Sequence, residues 1–199
     1  MEPSPFSAIA RLHIEGIPFG FLSSLGERFL ANLYAAIAKE SESTVIFERN
    51  ERGEVIGFVS GTLNISRCYT HVISRHPFSL GMPIIPKMLS VTNFKRAIET
   101  LRYAFQQQPN NTHKTEQKPL PELLSIVVSD TARGKGVGRK LVCELETFMK
   151  AHSYAGPYKV VTSADDPRSN AFYQSMGFTL YSEFHHHGNR MHEYRKQVA

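Results

Sequence analysis

Between Arg133 and Lys140 the sequence reads Arg-Gly-Lys-Gly-Val-Gly-Arg-Lys, three glycines among four basic side chains. The apolar run Leu123 to Val128 precedes it. After it, Val137, Leu141, Val142, Leu145, Phe148 and Met149 recur at helical spacing up to about His152. A glycine-rich turn between a buried strand and a helix is where backbone N–H groups converge on an anion. Glycine lets a ligand approach the backbone closely, and the cations add long-range attraction. The chemistry implied is the binding of a phosphate or pyrophosphate; the plainer reading is a solvated basic turn. A Walker loop is excluded, because Gly-Lys is not followed by Ser or Thr at the required spacing. The dinucleotide fingerprint is excluded too, since the glycines run Gly-x-Gly-x-Gly. What fits is Arg-x-x-Gly-x-Gly at Arg133, Gly136 and Gly138.

The elements that must hold this turn are read from periodicity. Ala8 to Ile14 alternates weakly and is expected to be a first strand. Ser24, with Glu27 three residues on, suggests a capping box opening a helix to about Lys39, with Leu25, Phe29, Leu33, Ala36 and Ile37 as its core stripe. Thr44 to Glu48 and Val55 to Leu63 read as a hairpin about Asn50-Glu51-Arg52-Gly53. Tyr158 to Ser163 reads as a strand and Arg168 to Met176 as a short helix ended by Gly177. Phe178 to Val198 reads as two strands about Gly188-Asn189. Residues 65–118 break the pattern. They begin as a polar, proline-marked stretch (Pro77, Pro83, Pro86), place Phe94, Ile98, Leu101 and Phe105 on one helical face, and close with the polar segment Gln106 to Lys118. This section reads as an insertion, either covering a substrate site or decorating the fold.

The chain has 199 residues, 41% hydrophobic and 21% charged, in the range of one globular domain over residues 1–199. Cys68 and Cys143 make no framework, which suggests a reducing compartment. The N-terminus lacks the pattern of a signal peptide, and no apolar run approaches the roughly 18 residues of a membrane span. A cytoplasmic location is expected. The net charge of +5 permits an anionic partner, but the basic residues concentrate in the turn, so nucleic acid is not expected.

Ile126-Val127-Val128, the turn and its amphipathic helix together resemble the acyl-CoA signature of the GNAT superfamily of N-acetyltransferases. A second family element follows in the right order: Val160-Val161-Thr162-Ser163, then Ser169-Asn170-Ala171-Phe172-Tyr173-Gln174-Ser175-Met176-Gly177-Phe178. The resemblance is sharp from Glu122 to Phe178. It implies a mixed α/β fold with a mostly antiparallel central sheet flanked by helices, splayed between the strands at Leu123 and Tyr158. The helical insertion would fall between the third and fourth strands. Acetyl-CoA or another acyl-CoA is the implied co-substrate. Arg133, Gly134, Lys135, Gly136, Val137, Gly138, Arg139 and Lys140 would hold its pyrophosphate, and the strand at Ile126, Val127 and Val128 would pair with its pantetheine. Asn170, Phe172 and Tyr173 would complete the site. Many members carry Asn seven residues before the tyrosine; here that position is Asp166.

Acetyl transfer to an amine needs a neutral nitrogen, donors for the oxyanion and a proton for the departing thiolate. The resemblance makes Tyr173 the acid and Glu122, eleven residues before Arg133, the base. A buried tyrosine and a polar strand end are the plainer readings. Asp165 and Asp166 are alternative carboxylates or a turn ahead of Pro167. His185-His186-His187 offers at most two side chains to one face of a strand, so no metal is expected. Cys143 sits among charged residues and reads as inert. The acceptor would be a small-molecule amine, with a peptide lysine or N-terminus as the alternative, and a non-catalytic acyl-CoA-binding regulator as the rival of another class. A monomer or homodimer is expected.

Overall fold

A computed structural model describes residues 4–75, 119–186 and 188–198. The helical stripe at Phe94 to Phe105 and the polar segment Gln106 to Lys118 lie outside the described residues, as does His187.

The chain opens on helices. α1 (Pro5–Gly16) replaces the expected first strand. Proline is suited to the first helical turn, and Phe6, Ile9, Ala10 and His13 follow the i, i+3, i+4, i+7 rule. The alternation of Ala8, Ala10, Leu12 and Ile14 was a coincidence of a segment apolar on more than one face. The expected capping box also fails. Ser24 lies inside α2 (Phe21–Leu25), with its hydroxyl donating to the Phe21 carbonyl at 2.6 Å. Gly26, at φ +91°, separates α2 from α3 (Glu27–Ile37), so Glu27 stands at the first helical position, not the third.

β1 (Ser43–Arg49) and β2 (Val55–Thr62) form the expected hairpin, its turn held by Asn50 Oδ1 accepting from the amides of Arg52 and Glu54, both at 3.0 Å. The start of the supposed insertion is another difference. α4 (Ile65–Arg75) is an amphipathic helix that buries Ile65, Cys68 and Val72. Asn64 accepts from the Arg67 amide at 3.0 Å, as an N-cap does. After residue 118 come β3 (Glu122–Val128), a short 3₁₀ turn (Asp130–Ala132), α5 (Val137–Ala151), β4 (Pro157–Ser163), α6 (Pro167–Ser175), β5 (Thr179–His186) and β6 (Asn189–Gln197). With no strand before β1, residues 65–118 fall between the second and third described strands.

The six described strands make one sheet in the order β1-β2-β3-β4-β6-β5. Every pairing is antiparallel except β3 with β4. Two cores lie on its faces. Ile9, Leu30, Leu33, Tyr34 and Phe58 centre the one beneath α1 to α4. Leu141, Val142, Leu145 and Met149 of α5 centre the other, with Tyr158, Tyr173 and Tyr194. Each of these four α5 side chains is fully buried, worth about 1.5–3 kcal/mol apiece before entropy is counted.

Candidate active site

The parallel pairing of β3 and β4 is short. Its register holds only Glu122 opposite Lys159 and Leu123 opposite Val160. Beyond this point β3 continues to pair with β2 as far as Val128, and β4 with β6 as far as Ser163. The two strands therefore part from Leu124 onward, and each leaves backbone facing the gap. A bulge marks the parting. Ser60 lies opposite Ser125 and Gly61 opposite Leu123, so Leu124 is the extra residue on β3. It reverses the side-chain alternation: Leu123, Ile126 and Val128 reach the α5 core, while Leu124 and Val127 reach the other.

The glycine-rich turn stands at the wide end of this gap. Gly136 is the N-cap of α5 at φ +83°, a left-handed conformation that suits glycine, and no side chain caps the helix. The first amides of α5 are thus presented outward with the positive end of the helix dipole. A Cβ added at Gly134 or Gly136 would meet nothing within 4 Å, so the space over the turn is open. Gly138 serves differently. A Cβ there would lie 3.0 Å from the Phe172 ring, so its absence lets α6 close against α5.

The cations divide into two groups. Arg133 folds back, its Nη1 2.5 Å from Asp130 and its Nε 3.3 Å from the Val128 carbonyl. Lys140 reaches across to Glu48 at 2.6 Å, and that hydrogen bond raises its pKa. Among the described residues, Lys135 and Arg139 make no ion pair; both are exposed beside the turn.

Tyr173 of α6 is buried among the rings of Phe172, Phe178 and Tyr194, with centroids 5.4, 5.6 and 6.0 Å away. Burial, reinforced by the Asp166 carboxylate, pushes its phenol well above the ordinary range, so it stays protonated at any working pH. Among the described residues its hydroxyl has no hydrogen-bond partner. Asp166 is committed to capping α6, accepting from the amides of Arg168 and Ser169 at 3.1 and 3.2 Å and from the Ser169 hydroxyl at 2.6 Å. Partial burial pushes its carboxyl up, but those hydrogen bonds outweigh it and hold the carboxyl below its usual range. Asp165 pairs with Arg190 at 2.8 Å. Asn170 ties elements together: its amide donates to the Ser163 and Asp166 carbonyls, and its Oδ1 accepts from His192 and from the Tyr194 hydroxyl at 2.8 and 2.9 Å.

Glu122 lies at the closed end of the gap, buried, with one oxygen 3.4 Å from the buried ammonium of Lys159. Lys159 is also 3.8 Å from Glu193. Lys159 thus sits between two carboxylates, and losing Glu122 would leave it the more distant one. His185 and His186 lie on the outermost strand, β5, far along the sheet order from the gap. Among the described residues no group of three metal-ligating side chains gathers.

The opposite face of the bulge carries residues that sequence reading missed. Tyr34, fully buried, bonds to His13 Nδ1 at 2.6 Å, and its ring packs edge-on against Phe58. Burial lowers the His13 pKa to about 4 and pushes the Tyr34 phenol up, a shift the Ser125 hydroxyl opposes. The signal was available in the helical spacing of His13 from Ile9, once that segment is read as a helix.

The class of fold follows from the architecture: a mixed sheet that splays between two central parallel strands in front of an uncapped helix N-terminus. The acetyltransferase (GNAT) family model matches residues 94–178. The overall structure is similar to a GNAT-family protein from Desulfovibrio desulfuricans, with a TM-score of 0.60 at 13% identity, covering 99% of this chain and 94% of that one. An N-acetyltransferase from Staphylococcus aureus Mu50 gives 0.58 at 14%, covering 99% and 96%. The ribosomal-protein-S18-alanine N-acetyltransferase of Escherichia coli gives 0.57 at 11%, covering 100% and 91%. No curated protein matches the sequence. Residues 94–178 thus match the GNAT acetyltransferase family model, and the chain shares the fold of these GNAT proteins.

Proposed function

We infer that the protein transfers an acetyl group from acetyl-CoA to a primary amine of a small molecule by direct attack, without a covalent enzyme intermediate. The parting of β3 and β4 in front of an uncapped helix N-terminus carries this reading. The residues present fit the co-substrate. The first amides of α5, with Lys135 and Arg139, would hold a pyrophosphate, and the unpaired backbone of Ser125 to Val128 would take an extended arm as an added strand. Bound there, the co-substrate supplies an activated thioester. Tyr173 holds a proton at its phenolic oxygen for the departing sulfur, and a backbone amide beside the bulge at Leu124 serves the oxyanion. Glu122 is our candidate for taking the ammonium proton of the acceptor, a group of pKa about 10.4 when lysine-like, before the neutral amine attacks. Neighbours of similar fold include enzymes named for protein substrates, and fold likeness at such low identity does not choose the acceptor.

Titration calorimetry with acetyl-CoA tests the co-substrate. Micromolar binding is expected for the wild type, lost in Gly136→Trp and weakened in Lys135→Glu, with folding of both checked by circular dichroism. No binding by the wild type would overturn the reading. Thiol release with small amines beside lysine- and α-amino-bearing peptides then separates the acceptor classes.

A further inference from the structure

Ser60 is fully buried, and among the described residues its hydroxyl has no hydrogen-bond partner. Such a group carries a desolvation cost that no described residue offsets, and it calls for an explanation such as a catalytic role or a bound water or ion. Its place in the sheet is specific. Ser60 is the cross-strand partner of Ser125, and partners directly opposite share a face. That face is the one beneath α1 and α3, since Phe58 and Val127, two residues along each strand, both lie in that core. The Tyr34 hydroxyl reaches Ser125 from α3 through a side-chain hydrogen bond and is kept in place by its 2.6 Å bond to His13 of α1.

Three hydroxyls thus share one face of the sheet beside the bulge where β3 leaves β4. An extended arm lying against Val128 to Ser125 advances about 3.3 Å per residue and comes to Leu124 after roughly 13 Å. There the gap closes, because Leu123 already pairs with Val160. The arm's reactive end is therefore brought to the residues flanking Ser125, with Tyr173 in the core of one sheet face and the hydroxyl group on the other. Among the described residues the buried charges at this end of the gap are paired, Glu122 with Lys159 and Glu193 with Arg195, while His13 is neutral and Tyr34 protonated.

Resting on the acetyl-CoA reading, we propose that the Ser60 and Ser125 hydroxyls, backed by Tyr34, form the seat of the acceptor nitrogen and receive it as an uncharged amine. The seat favours acceptors whose amine is only weakly basic, because an ammonium ion would enter it without a free counter-charge. In the reaction the nitrogen lone pair forms the C–N bond, the C–S bond breaks, and its electron pair leaves on sulfur, which takes the Tyr173 proton. The nitrogen's surplus proton passes through the Ser125 hydroxyl to solvent.

The test is a crystal structure with S-acetonyl-CoA, a non-hydrolysable thioether ketone, together with Ser60→Ala. The expected result places the ketone carbon within about 5 Å of the Ser60 or Ser125 oxygen, with an ordered water or solute bonded to Ser60 Oγ. Ser60→Ala should bind the analogue with unchanged affinity and melt a few degrees higher, since it removes an unpaired buried hydroxyl. A ketone carbon more than about 8 Å from both hydroxyls, or a Ser60→Ala protein that melts lower, overturns the proposal and leaves the co-substrate site standing. Failure of the analogue to bind the wild type overturns the co-substrate reading, and the seat with it.

Discussion

His13 makes the fold sensitive to acid, and the effect can be worked out. Its ring is buried, accepts from the Tyr34 hydroxyl and packs 6.4 Å from the Phe58 centroid. Burial lowers its pKa from 6.5 to about 4. Below pH 6.5 the unfolded chain takes up a proton that the folded chain refuses, so the unfolded state gains and stability falls as pH drops. The loss ends near pH 4, where the folded ring protonates as well. Integrating the linkage between pH 7 and pH 4.5 gives about 2.4 kcal/mol from this one residue. Urea unfolding followed by circular dichroism at the two pH values reads it. With a slope near 2 kcal/mol/M, the midpoint falls by about 1 M from this term. Carboxylates and other histidines add to the wild-type change, so the decisive quantity is a difference between proteins. The double variant His13→Phe with Tyr34→Phe replaces both partners of that bond with apolar rings. Its midpoint should fall by about 1 M less than the wild type's over the same interval. An equal fall in both proteins would refute a buried, neutral His13.

Three further outcomes follow from the site. Tyr173→Phe should keep acetyl-CoA affinity while lowering kcat between about 10² and 10⁴-fold, as loss of a general acid does; an unchanged kcat in thiol release would remove Tyr173 from the chemistry. Gly138→Ala should destabilise the protein by about 1–3 kcal/mol, because the new methyl must displace the Phe172 ring, and Phe172→Leu in the same chain should restore part of it by thermal melting. Glu122→Gln should cost about 1.5–3 kcal/mol by taking one of two carboxylates from the buried Lys159, whereas Glu122→Gln with Lys159→Met should recover stability. If that double variant also recovers full turnover, Glu122 is no base.

The second half of the chain was legible because its signals are local. The strand at Leu123, the glycine spacing, the helix ended by Gly177 and the Gly188-Asn189 hairpin each lie within a short window. The first quarter misled for the same reason. Ala8 to Ile14 satisfies period 2 and period 3.6 together, and only burial against α3 and the sheet decides between them. Ser24 and Glu27 have the residue types of a capping box, but Gly26 between them turns at positive φ and starts the helix late. α4 hides because three apolar residues suffice to bury it under a polar surface. The pairing of Glu122 with Lys159, and the bulge that sets Ser125 opposite Ser60, are matters of register between distant strands. No periodicity within either strand announces them.

The short pairing of β3 with β4 has a consequence for handling the protein. A sheet that parts after two residue pairs carries two extra edges in its interior, besides the outer edges at β1 and β5. Exposed edges are templates for foreign strands. A segment from another molecule could dock on Ser125 to Val128 as readily as a ligand arm does. On the proposed function, a bound co-substrate would act as a stopper against misassembly as well as a reactant. Without it, concentrated protein should aggregate through its own centre, and coenzyme A in the storage buffer should keep it dispersed.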